Sequence, residues 1–164
     1  MKIYGSNILR KQYRQHPVAR KRDCRRLGIA TSDVYDVSDA TADRAADCDT
    51  LLLGSSTWGY GELQDDWYNF LPQLKKQDLA GKKVAFFGTG DADSYPDTFC
   101  DAMGLIKEEL AGTGCLFVGE YPAEGYSVSG TRAFDGGNVI GLAVDDNQPG
   151  MTASRLDAWT ALVK

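Results

Sequence analysis

At 164 residues, with 43% hydrophobic and 10% aromatic side chains, the chain can bury one core and is too short for two ordinary domains, so a single domain over 1–164 is expected. No run approaches the ~20 apolar residues of a membrane span and no apolar secretory stretch opens the chain, so a cytoplasmic location is expected; Cys24, Cys48, Cys100 and Cys115 stand apart from one another and from His16, which spells neither a zinc site nor an iron–sulfur cluster and predicts no metal. The net charge of −5 is unevenly spread: residues 1–28 hold nine Lys or Arg against Asp23 alone, whereas the remainder has nine basic and 22 acidic residues, a net of −13.

In chain order, the basic segment comes first. Asn7 to Pro17 contains no five-residue apolar run and sets a proline near its end. From Asp33 onward, short apolar or β-branched runs alternate with helical patterns, the signature of a parallel sheet with crossover helices. Asp33–Val37 reads as a strand, and Thr50–Gly54 as a central strand covered on both faces. Val84–Gly88 and Leu116–Val118 read the same way. Between them Trp67, Phe70, Leu71 and Leu74 recur at helical spacing, as do Phe99, Met103, Ile106 and Leu110, so each stretch is expected to lay one face on the sheet. A Gly/Ser/Tyr-rich segment from Glu120 to Asn138 precedes a further strand at Val139–Val144. The last helix is expected to open at Thr152 as its N-cap and to bury Leu156, Trp159 and Leu162. The architecture is a doubly wound α/β sheet, which binds ligands beyond the carboxyl ends of its strands.

Two strand ends carry unusual loops. The first, from Gly54 to Gln64, exposes Trp58 between Gly and Ser, where a large ring has little local core to join; cover for the sheet end is the plain alternative. Thr57 and the backbone of Gly59 to Gly61 can meet a polar ring edge while the indole lies on its face. Gly59 lacks a Cβ, so the peptide that follows it turns cheaply between two orientations. The second loop, Gly88 to Asp97, offers Tyr95 as a second aromatic, and the two rings can clamp a flat heterocycle. Asp91 can satisfy ring N–H groups directly or through backbone, or simply form the turn.

The S-T-W-G followed by G-E-L-Q-D-D-W, and the F-F-G-T-G-D followed by S-Y-P-D-T-F-C-D-A, resemble the two isoalloxazine loops of the flavodoxin family. The resemblance covers about residues 29 to 164, and the segment between Glu120 and Val139 resembles the insertion that interrupts the fifth strand of the long-chain subgroup. It implies a five-stranded parallel sheet in the order 2-1-3-4-5, non-covalently bound FMN, and a low-potential one-electron carrier between redox proteins, monomeric and not an enzyme. Trp58 and Tyr95 would flank the flavin, Thr57, Gly59, Tyr60 and Gly61 would line one edge, and Thr89, Gly90 and Asp91 the pyrimidine side, with Ser56, Asp97 and Cys100 as further contacts. In the family the peptide at the Gly59 position turns its carbonyl toward the flavin N5–H on reduction. Glu62, Asp65 and Asp66 would disfavour an anionic reduced flavin, lowering the second potential, unless they are only a solvated helix face. Protein partners would present basic surfaces to this acidic one.

The resemblance fails at the N-terminus. The family opens with an apolar strand and a Thr/Ser-rich phosphate loop at a helix N-terminus, and Asn7 to Pro17 matches neither. Divergence is one reading, with Arg10, Lys11 and Arg14 holding phosphate by charge. The other is that the stretch is read out of frame: shifting each codon by one base from Asn7 allows Ser or Asn at position 11, Thr or Ile at 13 and 16, and Ala, Ile and Ala at 20, 23 and 24. That restores a strand, a phosphate loop and an amphipathic helix together.

Two other functional classes compete. A non-flavin binding protein with a basic N-terminal arm for nucleic acid or a membrane surface fits the first 28 residues, but these lack an amphipathic stripe, and the acidic remainder repels phosphate backbones. An FMN-dependent NAD(P)H or quinone reductase shares the fold, yet no nucleophile, acid–base pair or second nucleotide motif is visible. Peptide masses over residues 7–26 decide the reading frame: masses matching the written residues are the outcome that rules out the shifted one.

Overall fold

The computed structural model describes residues 1–5 and 27–164, and the alternative readings of residues 7–26 lie outside them. In chain order its strands are β1 (Lys2–Gly5), β2 (Val34–Asp36), β3 (Thr50–Gly54), β4 (Thr57–Trp58), β5 (Glu62–Leu63), β6 (Lys83–Gly90), β7 (Leu116–Phe117), β8 (Tyr121–Pro122), β9 (Phe134–Asp135), β10 (Asn138–Val139) and β11 (Gly141–Asp145). The α-helices among the described residues are α1 (Asp65–Leu74), α2 (Asp101–Leu110) and α3 (Thr152–Val163).

The main sheet runs β2-β1-β3-β6-β11, with β7 also paired to β6, and every one of these pairings is parallel. This is the 2-1-3-4-5 order of a doubly wound sheet, with its fifth strand in two pieces. β7 pairs with Lys83 and Val84 at the start of β6, and β11 pairs with Phe86 to Gly90 further along. Between the two pieces, β8, β10 and β9 form a small antiparallel sheet.

Successive residues of a strand face opposite ways, and both faces of this sheet are covered. Tyr4, Leu51, Leu53, Val84 and Phe86 join Trp67, Phe70, Leu71 and Leu74 of α1 and Met103, Ile106 and Leu110 of α2 in one cluster. Ile3, Leu52, Ala85, Leu142 and Val144 join Leu27, Ile29, Leu156, Trp159 and Val163 in the other. The three leucines of β3 are fully buried, each contributing about 1.5–3 kcal/mol. No helix among the described residues is long and apolar enough to cross a membrane.

Five expectations are corrected. The sequence reading allowed no apolar first strand, whereas Lys2-Ile3-Tyr4-Gly5 makes one ahead of the basic stretch; Tyr4 is fully buried, its ring 5.1 Å from Tyr35 and 5.2 Å from Phe70. Leu116 and Phe117 are exposed rather than covered on both faces, because their strand is only two residues long and pairs at one end of β6. The Val139–Val144 run is divided, with Val139 in the antiparallel sheet and the main-sheet strand starting at Gly141. Thr152 is the first helical residue and makes no side-chain cap. Helical spacing from Leu156 and Trp159 then buries Val163 and leaves Leu162 exposed.

Gly141 marks the point where the chain re-enters the main sheet. A Cβ there would lie 2.2 Å from the Phe86 carbonyl oxygen, and backbone cannot move aside as a side-chain tip can. Gly141→Ala is expected to cost about 1–3 kcal/mol of stability in chemical denaturation, and an unchanged midpoint would show that the contact is not close.

Candidate functional site

β3 and β6 are parallel neighbours in register from Thr50↔Lys83 to Gly54↔Phe87, so their carboxyl ends release two loops side by side. The loop after β3 closes as a hairpin, with Thr57 and Trp58 in β4 paired to Leu63 and Glu62 in β5. Gly59 and Gly61 take φ of +51° and +90° at its tip, a region that side chains disfavour. A Cβ on Gly61 would also meet Asp101 Oδ2 at 2.7 Å. The loop after β6 is a chain of turns: Tyr95 N donates to Asp91 O, Thr98 N to Tyr95 O and Asp101 N to Thr98 O.

A cleft of about 190 Å³ lies between the loops, lined by Thr57, Gly59, Thr89, Gly90, Asp91, Tyr95, Thr98, Phe99 and Cys100. Seven of these were expected from the sequence. Thr98 and Phe99 were missed, since Phe99 at helical spacing reads as core and its ring is indeed buried. Trp58 and Tyr60 stand in the same hairpin, 41% and 97% exposed, and Tyr95 is 61% exposed. Ser56 sits where the hairpin begins, and its buried Oγ has no hydrogen-bond partner among the described residues. Gly61 is buried at the hairpin tip and Asp97 is exposed on the second loop; neither lines the cleft.

Several side chains of this region serve the loops themselves. Thr57 Oγ1 accepts the Ala102 N–H at 3.1 Å, so the first loop caps α2, whose own N-cap residue Cys100 supplies no side-chain bond; such a cap is worth about 1 kcal/mol. Asp101 Oδ1 accepts the Arg132 N–H at 2.7 Å, and Thr131 Oγ1 donates to the Phe99 carbonyl at 2.8 Å, which ties the inserted segment to the second loop. Burial raises the Asp101 pKa. Cys100 adopts a left-handed φ of 56°. Burial, with the negative charges of Asp145, Asp146 and Asp101 adding to it, pushes its thiol well up, so it is neutral and a poor nucleophile.

Asp91 is a turn former. Its carboxylate accepts the Ser94 N–H at 2.8 Å, the Ser94 hydroxyl at 2.7 Å and Asn147 Nδ2 at 2.6 Å, so its hydrogen bonds are made within the loop and to the segment after β11. No cluster of three or more His, Cys, Asp or Glu among the described residues could hold a metal ion. The loops spanning 55–66, 91–101 and 145–147 carry Glu62, Asp65, Asp66, Asp91, Asp93, Asp97, Asp101, Asp145 and Asp146 and not one Lys or Arg. These three segments therefore carry only negative formal charge.

A family model described as flavodoxin matches residues 19–159. The chain is 42% identical over 138 residues to a flavodoxin of Synechocystis sp. (strain ATCC 27184 / PCC 6803 / Kazusa), covering 84% of this chain and 81% of that protein. It is 40% identical over 137 residues to flavodoxin 1 of Escherichia coli (strain K12), covering 82% and 78%. Its fold matches that of Fusobacterium nucleatum flavodoxin bound to flavin mononucleotide, with a TM-score of 0.82, 24% identity, and 98% and 93% of the two chains covered.

The bonds from the Ser94 backbone, the Ser94 hydroxyl and Asn147, in that order, hold the Asp91 carboxyl below its ordinary value of 3.8. A depressed carboxylate stabilises the fold above its unfolded pKa, and that contribution is lost as pH falls through the folded value. The Ser94 amide resonance is therefore expected to titrate with a midpoint below 3.8, and a midpoint at or above it would show that Asp91 does not organise the loop.

Proposed function

The chain belongs to the flavodoxin family, and from that premise we propose that it holds FMN non-covalently in this cleft and carries single electrons at low potential between redox proteins, with no substrate of its own. The carrying observation is a pair of exposed aromatic side chains on neighbouring loops: Tyr95 lines a cleft walled by Gly and Thr, and Trp58 stands between Thr57 and Gly59, which line it from the other loop. Exposed rings beside a narrow cleft fit a flat heterocycle, which would bury apolar faces that otherwise meet water. Ser56 Oγ, buried and without a partner among the described residues, fits a polar edge of such a ring. FMN supplies the one-electron chemistry when bound.

In this reading Trp58 and Tyr95 orient the ring and exclude water from its faces. Ser56, Thr57, Gly59, Tyr60 and Gly61 take one edge, Thr89, Gly90 and the Asp91 backbone take the pyrimidine side, and Asp97 and Cys100 stand at the margin. Gly59, free of Cβ and already at positive φ, lets its peptide reorient and offer either an acceptor or a donor to the ring. Glu62, Asp65 and Asp66 oppose added negative charge, which lowers the potential of the second electron.

The single domain spans 1–164. The split fifth strand, with its antiparallel insertion, supports the long-chain type. The chain works as a cytoplasmic monomer, and its acidic loops steer basic faces of redox proteins toward the cleft.

Titration of the purified protein with FMN, followed by absorbance, tests the reading. The chain is expected to bind one FMN and to leave NAD(P)H unoxidised without added proteins. Trp58→Ala and Tyr95→Ala should each weaken binding by about 1–3 kcal/mol, as removal of a stacked ring does. A wild-type chain that stays colourless in excess FMN would overturn it.

A further inference from the structure

The cleft-lining turn after β6 is held from outside its own segment. β11 pairs with β6 as far as Asp145↔Gly90, and Asp146 N donates to the Gly90 carbonyl at 2.9 Å, so the ladder runs up to the residue before the turn. The Asp145 side chain, 1% exposed, then reaches across: its Oδ1 accepts the Ala92 N–H at 3.3 Å and the Asn147 N–H at 3.1 Å. Asn147 Nδ2 donates to Asp91 Oδ1 at 2.6 Å. Asp91 in turn gathers Ser94, and the Tyr95 N–H closes back on the Asp91 carbonyl at 3.0 Å. A continuous path of hydrogen bonds thus joins the exit of β11 to the backbone that carries Tyr95.

We propose that Asp145 and Asn147 are positioning residues that hold the turn from Asp91 to Tyr95 in the shape that accepts the flavin ring. The proposal rests on the FMN reading of the cleft. Neither residue lines the cleft, so they act through Asp91 and Ala92. The β11 exit is itself braced: Arg155 of α3, 5% exposed, donates to Gln148 Oε1 and to the Gly125 carbonyl and stacks 3.7 Å from the Tyr126 ring centroid. The anchor therefore stands on α3 and the inserted segment, while Ser94 and Tyr95 lie on an exposed loop with little packing of their own.

The test compares FMN and riboflavin affinity, and amide hydrogen exchange of the flavin-free protein, across wild type, Asn147→Ala, Asn147→Asp and Asp145→Asn. Loss of the Asn147 bond acts on the ring side, so Asn147→Ala should raise both dissociation constants by the same factor, roughly two- to tenfold for one hydrogen bond. A general phosphate-side or folding defect would not move the two ligands alike while sparing the core. Exchange at Ala92, Ser94 and Tyr95 should quicken, with Leu51 to Leu53 unchanged. Asn147→Asp sets a second carboxylate against Asp91 and should be worse than Ala, whereas Asp145→Asn keeps an acceptor oxygen for Ala92 and should stay near wild type. Unchanged flavin affinity in Asn147→Ala, in a chain whose wild type binds both flavins, overturns the proposal. A wild type that binds neither flavin defeats the FMN reading instead, and the exchange comparison alone then decides whether the latch exists.

Discussion

The parallel ladder of β3, β6 and β11 is the constraint from which the site follows. Because the three strands run the same way in fixed register, with Gly54 opposite Phe87 and Asp145 opposite Gly90, their carboxyl ends emerge in a row, and the loops they release have no choice but to be neighbours. Each strand can be this apolar because helices cover both faces: α1 and α2 on one side, α3 on the other. The buried leucines of β3 thereby do more than stabilise the sheet. They fix where Thr57 and Trp58 start.

Beyond the ladder, the loops hold one another with borrowed groups. Thr57 leaves its own loop to cap α2, Asp101 takes an N–H from the inserted segment, and Asp145 takes one from the loop after β6. Each of these bonds joins segments at least 31 residues apart, so the cleft is shaped cooperatively by the whole carboxyl edge of the sheet. The cost of such an arrangement is carried by a few special backbone positions, Gly59, Gly61 and the left-handed Cys100, where the chain must turn sharply beside the cleft.

The charge distribution follows the same geography. Turn-forming Asp residues gather where strands end because they satisfy local N–H groups there, and Asp91 and Asp145 do so in this chain. In a parallel sheet those ends lie at one edge, so local turn chemistry brings these two acidic residues to the same side of the fold.

The sequence by itself determined the strand–helix alternation, the core faces of α1 and α2 and the two aromatic-bearing loops, because periodicity and turn residues are local signals that survive without neighbours. The Gly/Ser/Tyr-rich segment was legible too, but only the resemblance to the family marked it as an interruption of the fifth strand. Only the tertiary structure decided what depends on partners distant in the chain. A four-residue Lys2–Gly5 strand is too short to stand out in the sequence, and it becomes one because β2 and β3 flank it. Leu116 and Phe117 look like core until the short pairing with β6 leaves them exposed. Asp91 shows its role only once Asn147, 56 residues on, is beside it, and Asp145 and Asn147 carry no local pattern at all, since a hydrogen bond across a parallel sheet edge leaves no trace in the spacing of either segment.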